Sequence, residues 1–282
     1  CRYYLENGET PDSLDVEVTS QLRAVEQQMG KRLGDAEDPL LVSVRSGAKF
    51  SMPGMMETVL NIGLNDSSVE GLANKSGNER FAWDSYRRLI QMFGKTVLDI
   101  EGELFSGVLE RLQESKGYAG DLDMTTEDLK EIVAEYKAVV KDATGEDFPQ
   151  DPRKQMDLAI EAVFRSWNTD RARIYRRRER IPNEIGTAVN ICTMVFGNMG
   201  DTSGTGVCFT RDPSTGHPGV YGDYLVNAQG EDVVAGIRNT LSLADLAEID
   251  KPAYEELVGI MNKLETHYRD LCDIEFTIEN HK

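Results

Sequence analysis

Long apolar runs are absent from this sequence. None of its 282 residues lies in an uninterrupted apolar segment of the length that crosses a membrane, roughly 20 residues. The opening segment CRYYLENGET has neither the basic region nor the apolar stretch of a secretory signal. We therefore expect a cytoplasmic protein that makes no membrane contact.

Positive charge is scarce as well. Lys and Arg number 31 against 49 Asp and Glu, which gives a formal net charge of -18. A chain this acidic repels nucleic acids and anionic membrane surfaces, so we expect no nucleic-acid partner. Any phosphate site would be a local exception that supplies its own cations.

Cysteine and histidine are few, with four of the first and three of the second. The cysteines form no CxxC pair and have no histidine at metal-finger spacing, which excludes a zinc-finger arrangement. We expect all four to be buried, reduced thiols. They are Cys1, Cys192, Cys208 and Cys272.

The length predicts one large or two ordinary domains. The sequence opens without Met inside a polar segment and stops just after a predicted strand. We therefore expect a piece of a longer protein.

One stretch carries two of the scarce cations. Residues 40–66 read LLVSVRSGAKFSMPGMMETVLNIGLND, and their pattern predicts a strand at 40–44, a loop, and then a helix that ends at Gly63. Arg45 and Lys49 would precede the helix start, where free backbone amides and the helix dipole favour an anion. From spacing alone, an ordinary surface loop is an equal alternative.

Helical patterns dominate the rest of the first two thirds. A capping box at Thr125 and Asp128 begins an apolar stripe that we interpret as core. The predicted helices cover 18–33, much of 79–149, 152–180, 241–249 and 252–271, with a loop at 67–78.

Arginine is concentrated at the end of the helix predicted over 152–180. The cluster is typical of a solvated face that pairs with carboxylates, and it would equally suit a docking face for a phosphorylated partner domain. The pattern does not separate the two. Its members are Arg171, Arg173, Arg176, Arg177, Arg178 and Arg180.

Strand patterns dominate the last third. A strand over 185–196, a glycine-rich connector and a strand over 207–210 predict a hairpin, and 220–227 predicts another strand. The strand over 273–278 alternates, so that Asp273 and Glu275 face the same way about 7 Å apart. That spacing suits contacts to one magnesium nucleotide, and a solvated outer face is the competing interpretation.

The stretch SVRSGAKFSMPGMMETVLNIGLND resembles a signature of the nucleotide-binding domain of the pyruvate, phosphate dikinase family. TMVFGN, NAQGEDVVAG and DIEFTIE are similar to further segments of that domain, so the resemblance covers essentially the whole chain. It implies an α+β fold, the ATP-grasp nucleotide-binding fold with a helical insertion. The implied domains are a first lobe at 1–66 and 150–195, an insertion at 67–149, and a second lobe at 196–282 that is truncated at its C-terminal end.

The resemblance also implies one nucleotide site and a role for each of its residues. Glu231 could otherwise be a helix-start carboxylate, which the helix dipole favours. The implied roles are phosphate contact and catalysis for Arg45, adenine contact for Met194 and Val195, nucleotide and metal binding for Glu231, nucleotide contact for Asp273, and magnesium binding for Glu275.

In this family ATP and phosphate phosphorylate a histidine on a separate swivelling domain. The phosphohistidine then passes its phosphoryl group to pyruvate, which a separate pyruvate-binding domain holds, and the products are AMP, pyrophosphate and phosphoenolpyruvate. The resemblance thus implies a phosphotransferase with ATP as substrate, Mg²⁺ as cofactor and a homodimeric parent enzyme. None of His217, His267 and His281 has the Thr-Ser-His context of the phosphorylated histidine.

Two elements of the family's ATP site are missing from the sequence: an early glycine-rich loop with a lysine, and a Gln-x-Arg segment expected beyond Lys282. We therefore predict weak nucleotide binding or none, and no turnover, by this piece alone. Two alternatives stay open. One is another ATP-grasp dikinase that uses pyruvate and water or glucan and water, and the other is a non-catalytic nucleotide-binding module.

Overall fold

The chain folds into two compact units. The computed structural model describes residues 1–235 and 239–282, and the side chains of Glu231, Val234 and Ala235 also lie outside the described part. Unit 1 is Cys1–Met194 and unit 2 is Val195–Lys282. Both units combine helices with a sheet, which confirms the α+β class. The boundaries of the two lobes and of the insertion stay predictions.

Unit 1 contains a small parallel strand pair, a three-stranded sheet and most of the helices of the described chain. Its elements are α1 (Arg2–Asn7), α2 (Asp12–Met29), β1 (Arg32–Leu33), β2 (Pro39–Leu40), β3 (Val42–Gly47), β4 (Thr58–Ile62), α3 (Ser68–Ser76), α4 (Glu79–Thr96), α5 (Gly102–Lys116), α6 (Thr126–Thr144), α7 (Pro152–Ser166), α8 (Asp170–Arg178) and β5 (Ala188–Thr193).

The sheet of unit 1 has the order β4-β3-β5, and both pairings are antiparallel. The apolar residues Val42 and Val44 of the central strand are fully buried, on the side where α7 packs. The alternating residues of β3 therefore lie on the other face of the sheet. That open face carries the site residues of unit 1.

The helix predicted to end at Gly63 is wrong. Thr58, Val59 and Ile62 are β-branched and belong to β4, which pairs with β3 so that Val59 lies opposite Val44. The helical spacing spans only a few residues, and strand pairing overrides so short a signal. The anion site that we predicted at a helix start therefore does not exist in that form.

Other elements differ from the prediction in their boundaries. Helix α2 begins and ends earlier than predicted, and Gly30, in a left-handed conformation with φ 67°, closes its C-terminal end. The predicted loop at 67–78 contains α3, whose residues Val69 and Leu72 are buried. The predicted strand at 40–44 is confirmed, although it is split into β2 and β3.

The capping box at the start of α6 is confirmed. The Thr125 hydroxyl accepts the Asp128 N–H, and the Asp128 carboxylate accepts the Thr125 N–H. Bonds from Lys116 and Thr125 hold the pKa of the Asp128 carboxyl well below its usual range, against the effect of burial. The apolar stripe of α6 is buried as predicted; it comprises Leu129, Ile132, Val133, Tyr136 and Val140.

The single long arginine-rich helix is wrong, because α7 and α8 are separate helices. The chain turns between them, where the Thr169 hydroxyl donates to Ser166 O at 3.0 Å. The turn lets Arg176 stack on the Trp167 ring at 4.1 Å and donate to Asn183. One member of the arginine cluster is thus a buried structural residue.

Unit 2 is a four-stranded antiparallel sheet of order β8-β7-β6-β9 with helices on one face. Its elements among the described residues are β6 (Gly204–Arg211), β7 (Pro218–Val226), α9 (Gly230–Ala235), β8 (Leu241–Ser242), α10 (Leu243–Ile249), α11 (Lys251–Tyr268) and β9 (Asp273–Ile278).

The predicted hairpin between 185–196 and 207–210 is wrong. Strand β5 pairs with β3 in unit 1, whereas β6 pairs with β7 and β9 in unit 2. The glycine-rich connector, residues 197–206, thus lies at the start of unit 2 and is no tight turn between β5 and β6. The two partners of β6 satisfy its backbone groups on both sides, which leaves no edge for β5.

A core of apolar side chains lies between α10, α11 and the covered face of the unit 2 sheet. Cys208 is among its fully buried residues. The four cysteines are free thiols as predicted, but the prediction of burial holds only for Cys208, because Cys192 is exposed and the other two are half-buried.

None of the helices in the described ranges combines the length and the apolar content that a membrane crossing requires.

Candidate functional site

Arg45 lies on the open face of the unit 1 sheet and is exposed. Its Nε donates to the hydroxyl of Ser43 at 3.2 Å. Among the described residues, no carboxylate lies within ion-pair distance of Arg45. An exposed guanidinium that is oriented by a neutral hydroxyl keeps its charge available for an anion.

The register places two further polar groups beside this arginine. Asn190 of β5 lies directly opposite Arg45, and Cys192 lies opposite Ser43. Residues that are directly opposite in an antiparallel pair share one face of the sheet. We call Ser43, Arg45, Asn190 and Cys192 the Arg45 face; Ser43 is buried, and the other three are exposed. Sequence analysis missed Ser43 and Asn190, although the alternation of S-V-R could have indicated the first.

Lys49, the second predicted cation, lies in the loop after β3. It is exposed, and its Nζ lies 5.9 Å from the centre of the Phe50 ring. With β4 in place of the predicted helix, a helix dipole no longer supports this cation.

Asp273 and Glu275 lie on β9 and are exposed, as the alternation predicted. In the next rows of the sheet, Val207 of β6 separates Glu275 from Asp223 of β7. Asp223 is exposed too, and two strand spacings place its backbone roughly 10 Å from that of Glu275. We call Asp223, Asp273 and Glu275 the acidic face. Sequence analysis missed Asp223.

The acidic face does not form a ready-made metal cage. Within the described residues, no group of three or more Asp, Glu, His or Cys side chains could hold a metal ion. Mg²⁺ in nucleotide sites is typically held by one or two carboxylates, with substrate phosphates and waters completing the shell. Two exposed carboxylates on one strand fit that kind of site, in which the nucleotide brings its own metal.

The thiol of Cys208 lies on the opposite, covered side of this sheet. Burial, with a smaller effect from the Asp273 carboxylate, raises the pKa of Cys208 to about 11. The thiol is therefore inert near neutral pH. The chemistry of unit 2 belongs to the open face.

Met194 and Val195 stand at the junction of the two units. The Met194 N–H donates to Leu41 O at 2.9 Å, which ties it to unit 1. The following Phe196 N–H donates to the Glu279 carboxylate at 2.6 Å within unit 2. Glu279, which sequence analysis missed, thus fixes the start of the second unit.

The Glu231 side chain lies outside the described residues, so its predicted nucleotide and metal roles stay predictions. Its neighbours are described: the Gln229 N–H donates to the Asp232 carboxylate at 2.9 Å. Asp232 therefore serves the start of α9, the role that we had considered for Glu231.

Comparison with known proteins gives one family. A family model described as the pyruvate phosphate dikinase AMP/ATP-binding domain matches residues 4–242. The chain belongs to this family.

Curated relatives agree along the whole chain. The pyruvate, phosphate dikinase of Clostridium symbiosum is 51% identical over 281 residues, which cover 99% of this chain and 32% of that protein. Chloroplastic pyruvate, phosphate dikinases 1 of Zea mays and Arabidopsis thaliana are each 54% identical and cover all of this chain, but the match spans only 30% and 29% of their own lengths. The chain therefore corresponds to a little under a third of each dikinase.

Proposed function

We propose that this chain is the ATP-binding, phosphoryl-transferring part of a pyruvate, phosphate dikinase. The observation that carries the proposal is the match of residues 4–242 to the AMP/ATP-binding domain of that family. The geometry supports it, because the chain holds an unpaired arginine on one open sheet face and paired carboxylates on another.

In this proposal Arg45 binds the nucleotide phosphates. Its guanidinium stabilises the negative charge that spreads over the phosphoryl oxygens during transfer. The Ser43 hydroxyl accepts one of its N–H groups and so orients the rest of the fork. A preoriented cation is worth more in a transition state than one that must first be ordered.

Glu275 and Asp273 hold the metal side of the nucleotide in this proposal. Glu275 would bind Mg²⁺, which neutralises phosphate charge when it is bound, and Asp273 would contact the nucleotide. Glu231 would add a further nucleotide and metal contact.

The fold in this proposal is ATP-grasp, with a helical insertion at 67–149. Met194 and Val195 would contact the adenine, as the TMVFGN resemblance implies. The division of the chain between these two residues supports a hinge there.

The complete reaction is a proposal for the whole enzyme. ATP and phosphate would phosphorylate a histidine on a swivelling domain, and a pyruvate-binding domain would complete the transfer to give phosphoenolpyruvate. The homodimer and the cytoplasmic location stay predictions, since the names of the plant relatives place them in the chloroplast.

The test is calorimetric titration of Mg-ATP into this chain and into a version extended by the two missing family elements. In the version that binds, Arg45→Ala and Glu275→Gln should each weaken binding about tenfold or more, since a hydrogen bond to a charged group contributes roughly 1.5 to 3 kcal/mol. Arg111→Ala is the matched control, because Arg111 is an exposed arginine that lies away from the candidate site residues and pairs with Glu135 at 3.5 Å.

Loss of magnesium-dependent binding in both site variants, with Arg111→Ala unchanged, would support the assignment. Equal binding by all variants would contradict the residue roles. Failure of the extended version to bind Mg-ATP would contradict the proposed function and favour a non-catalytic module.

A further inference from the structure

Gln229 of unit 2 has a buried donor without a partner. The residue is 7% exposed, and its Nε2 makes no hydrogen bond to any described group. Its backbone is well anchored, because its N–H donates to Asp232 and its carbonyl accepts the Asp232 N–H at 3.0 Å. The orphan atom is thus a side-chain donor on a fixed backbone.

Such an atom is costly, because a buried donor that gives up water without gaining a partner loses hydrogen-bond free energy. A second buried glutamine, Gln155, provides a comparison because its side chain has hydrogen-bond partners. Gln155 accepts the Gly63 N–H at 3.1 Å and donates to Leu64 O at 2.9 Å and to Pro149 O at 2.8 Å. Gln155 is a satisfied structural residue, and Gln229 is not.

The surroundings of Gln229 are built from the glycine-rich connector. The Ala228 N–H donates to Gly197 O at 2.9 Å, and the Asn227 N–H donates to Ser203 O at 2.8 Å. A Cβ at position 197 would lie 2.3 Å from Ala228 O, so only glycine permits this approach. The connector is therefore packed against the segment that carries Gln229.

Asn198, on the connector segment next to Gly197, carries a second orphan atom. Its Oδ1 is buried and has no partner among the described groups. Asn198 follows Gly197 and Gln229 follows Ala228, so the two amides adjoin the backbone hydrogen bond that joins these segments. One orphan is a donor and the other an acceptor, and each, on a segment joined to the other by backbone hydrogen bonds, indicates a position prepared for a polar group that the described residues do not supply.

We propose that the Gln229 carboxamide is a further substrate-binding group and donates to a phosphate oxygen of the nucleotide. This proposal rests on the proposed function above. The free group of Gln229 is a donor, which calls for an acceptor, and phosphate oxygens are the strongest acceptors that a nucleotide offers; the Asn198 oxygen is itself an acceptor and takes no part in this contact. A neutral donor also suits a unit whose open face is acidic, because it binds the anion without attracting the carboxylates.

The first test is stability without ligand, by the midpoint of thermal unfolding of this chain. Gln229→Met removes an unpaired donor and keeps the volume, so the midpoint should stay equal or rise. Gln155→Met removes three hydrogen bonds and should lower it by about 5 °C or more. Thr205→Val is the control within unit 2, because the buried Thr205 hydroxyl donates to Phe276 O at 3.0 Å; it should lower the midpoint too.

The second test is binding, in whichever of the two versions above binds Mg-ATP. Gln229→Met should weaken Mg-ATP about tenfold and leave adenosine, which has no phosphate, unchanged.

Three results would overturn the proposal. A midpoint that falls as in Gln155→Met would mean that the amide has a structural partner. Unchanged Mg-ATP binding would remove the contact while leaving the proposed function intact, and an equal loss for adenosine would assign the amide to the nucleoside. If Arg45→Ala and Glu275→Gln also bind like the unaltered chain, the proposed function fails as well.

Discussion

The larger sheet of unit 1 and the sheet of unit 2 are both covered by helices on one face, but their open faces carry opposite charge. Among the described residues, the open face in unit 1 presents the cation Arg45, and the open face in unit 2 presents the carboxylates of Asp223, Asp273 and Glu275. In both units the opposite face of the sheet is packed against helices. The helices packed on one side stabilise each sheet, and the opposite charges of the two open faces give them different ligand preferences. Phosphate oxygens suit the first face, and a divalent cation suits the second.

Several other arginines of unit 1 are paired with carboxylates, in contrast to Arg45. Arg153 bonds Asp157 at 2.9 Å and Asp15 at 2.5 Å, and Arg87 bonds Asp84 at 2.6 Å. Paired charges are expected in a chain with so many carboxylates. Within the described residues Arg45 has no such partner, so its charge is left for something that the chain itself does not supply.

The largest expected effect is a difference in thiol reactivity between the open face of the unit 1 sheet and the covered face of the unit 2 sheet. Cys192 on the Arg45 face is exposed, whereas the pKa of buried Cys208 is raised to about 11. At pH 8 the thiolate of Cys208 is on the order of a hundredfold scarcer than that of an ordinary thiol, and burial slows it further. Iodoacetamide labelling followed by peptide mass spectrometry should modify Cys192 at least a hundredfold faster.

Labelling in urea supplies the control, because unfolding exposes both thiols and should bring their rates together. Equal rates in the folded chain would mean that the covered face of the unit 2 sheet opens readily to solvent. That result would contradict the division of this sheet into one packed and one open face.

Sequence patterns predicted single strands and their exposed faces better than the pairing between strands. The alternation over 273–278 identified β9 and its outward carboxylates, because that signal is local and one face of the sheet is packed. The partners of β3 could not be predicted in this way. Strand β5 begins more than a hundred residues later, and β4 is a five-residue strand whose spacing also fits a helix.

The residues of the candidate site show the same difference between local signals and distant strand pairing. Resemblance of short motifs named Arg45, Asp273 and Glu275, which lie on exposed faces as expected. Asn190 and Asp223 became candidates only through the register of strands that are distant in sequence. Neither has a motif of its own.

A backbone test of intermediate size compares a glycine from each sheet. A Cβ at Gly206 would lie 2.5 Å from the backbone oxygen of Asp223, whereas a Cβ at Gly47 would meet the end of the Asn190 side chain at 2.7 Å. Backbone in a paired strand cannot move aside, but an exposed amide can. Gly206→Ala should lower the free energy of unfolding by about 1 to 3 kcal/mol, and Gly47→Ala by less than about 0.5.

Urea unfolding measures both variants. Equal losses would indicate that Asn190 is held as firmly as backbone, and the Arg45 face would then be a rigid surface with no freedom to adjust to a ligand.

The smallest expected effect comes from the charges on the two open faces. Two carboxylates about 7 Å apart in water repel by roughly 0.6 kcal/mol, and salt reduces this to a few tenths. Asp273→Asn combined with Glu275→Gln should therefore raise the free energy of unfolding by about 0.3 kcal/mol at low salt, and by less at high salt. Arg45→Gln should shift the free energy of unfolding the other way or not at all, since it removes a positive charge from a chain of net charge -18. Replicate urea titrations at low and high salt measure whether the two variants change the free energy of unfolding in opposite directions. If neutralising the carboxylates destabilised unit 2, they would be bound within the fold, and the acidic face would be a structural surface with no charge to spare for a metal ion.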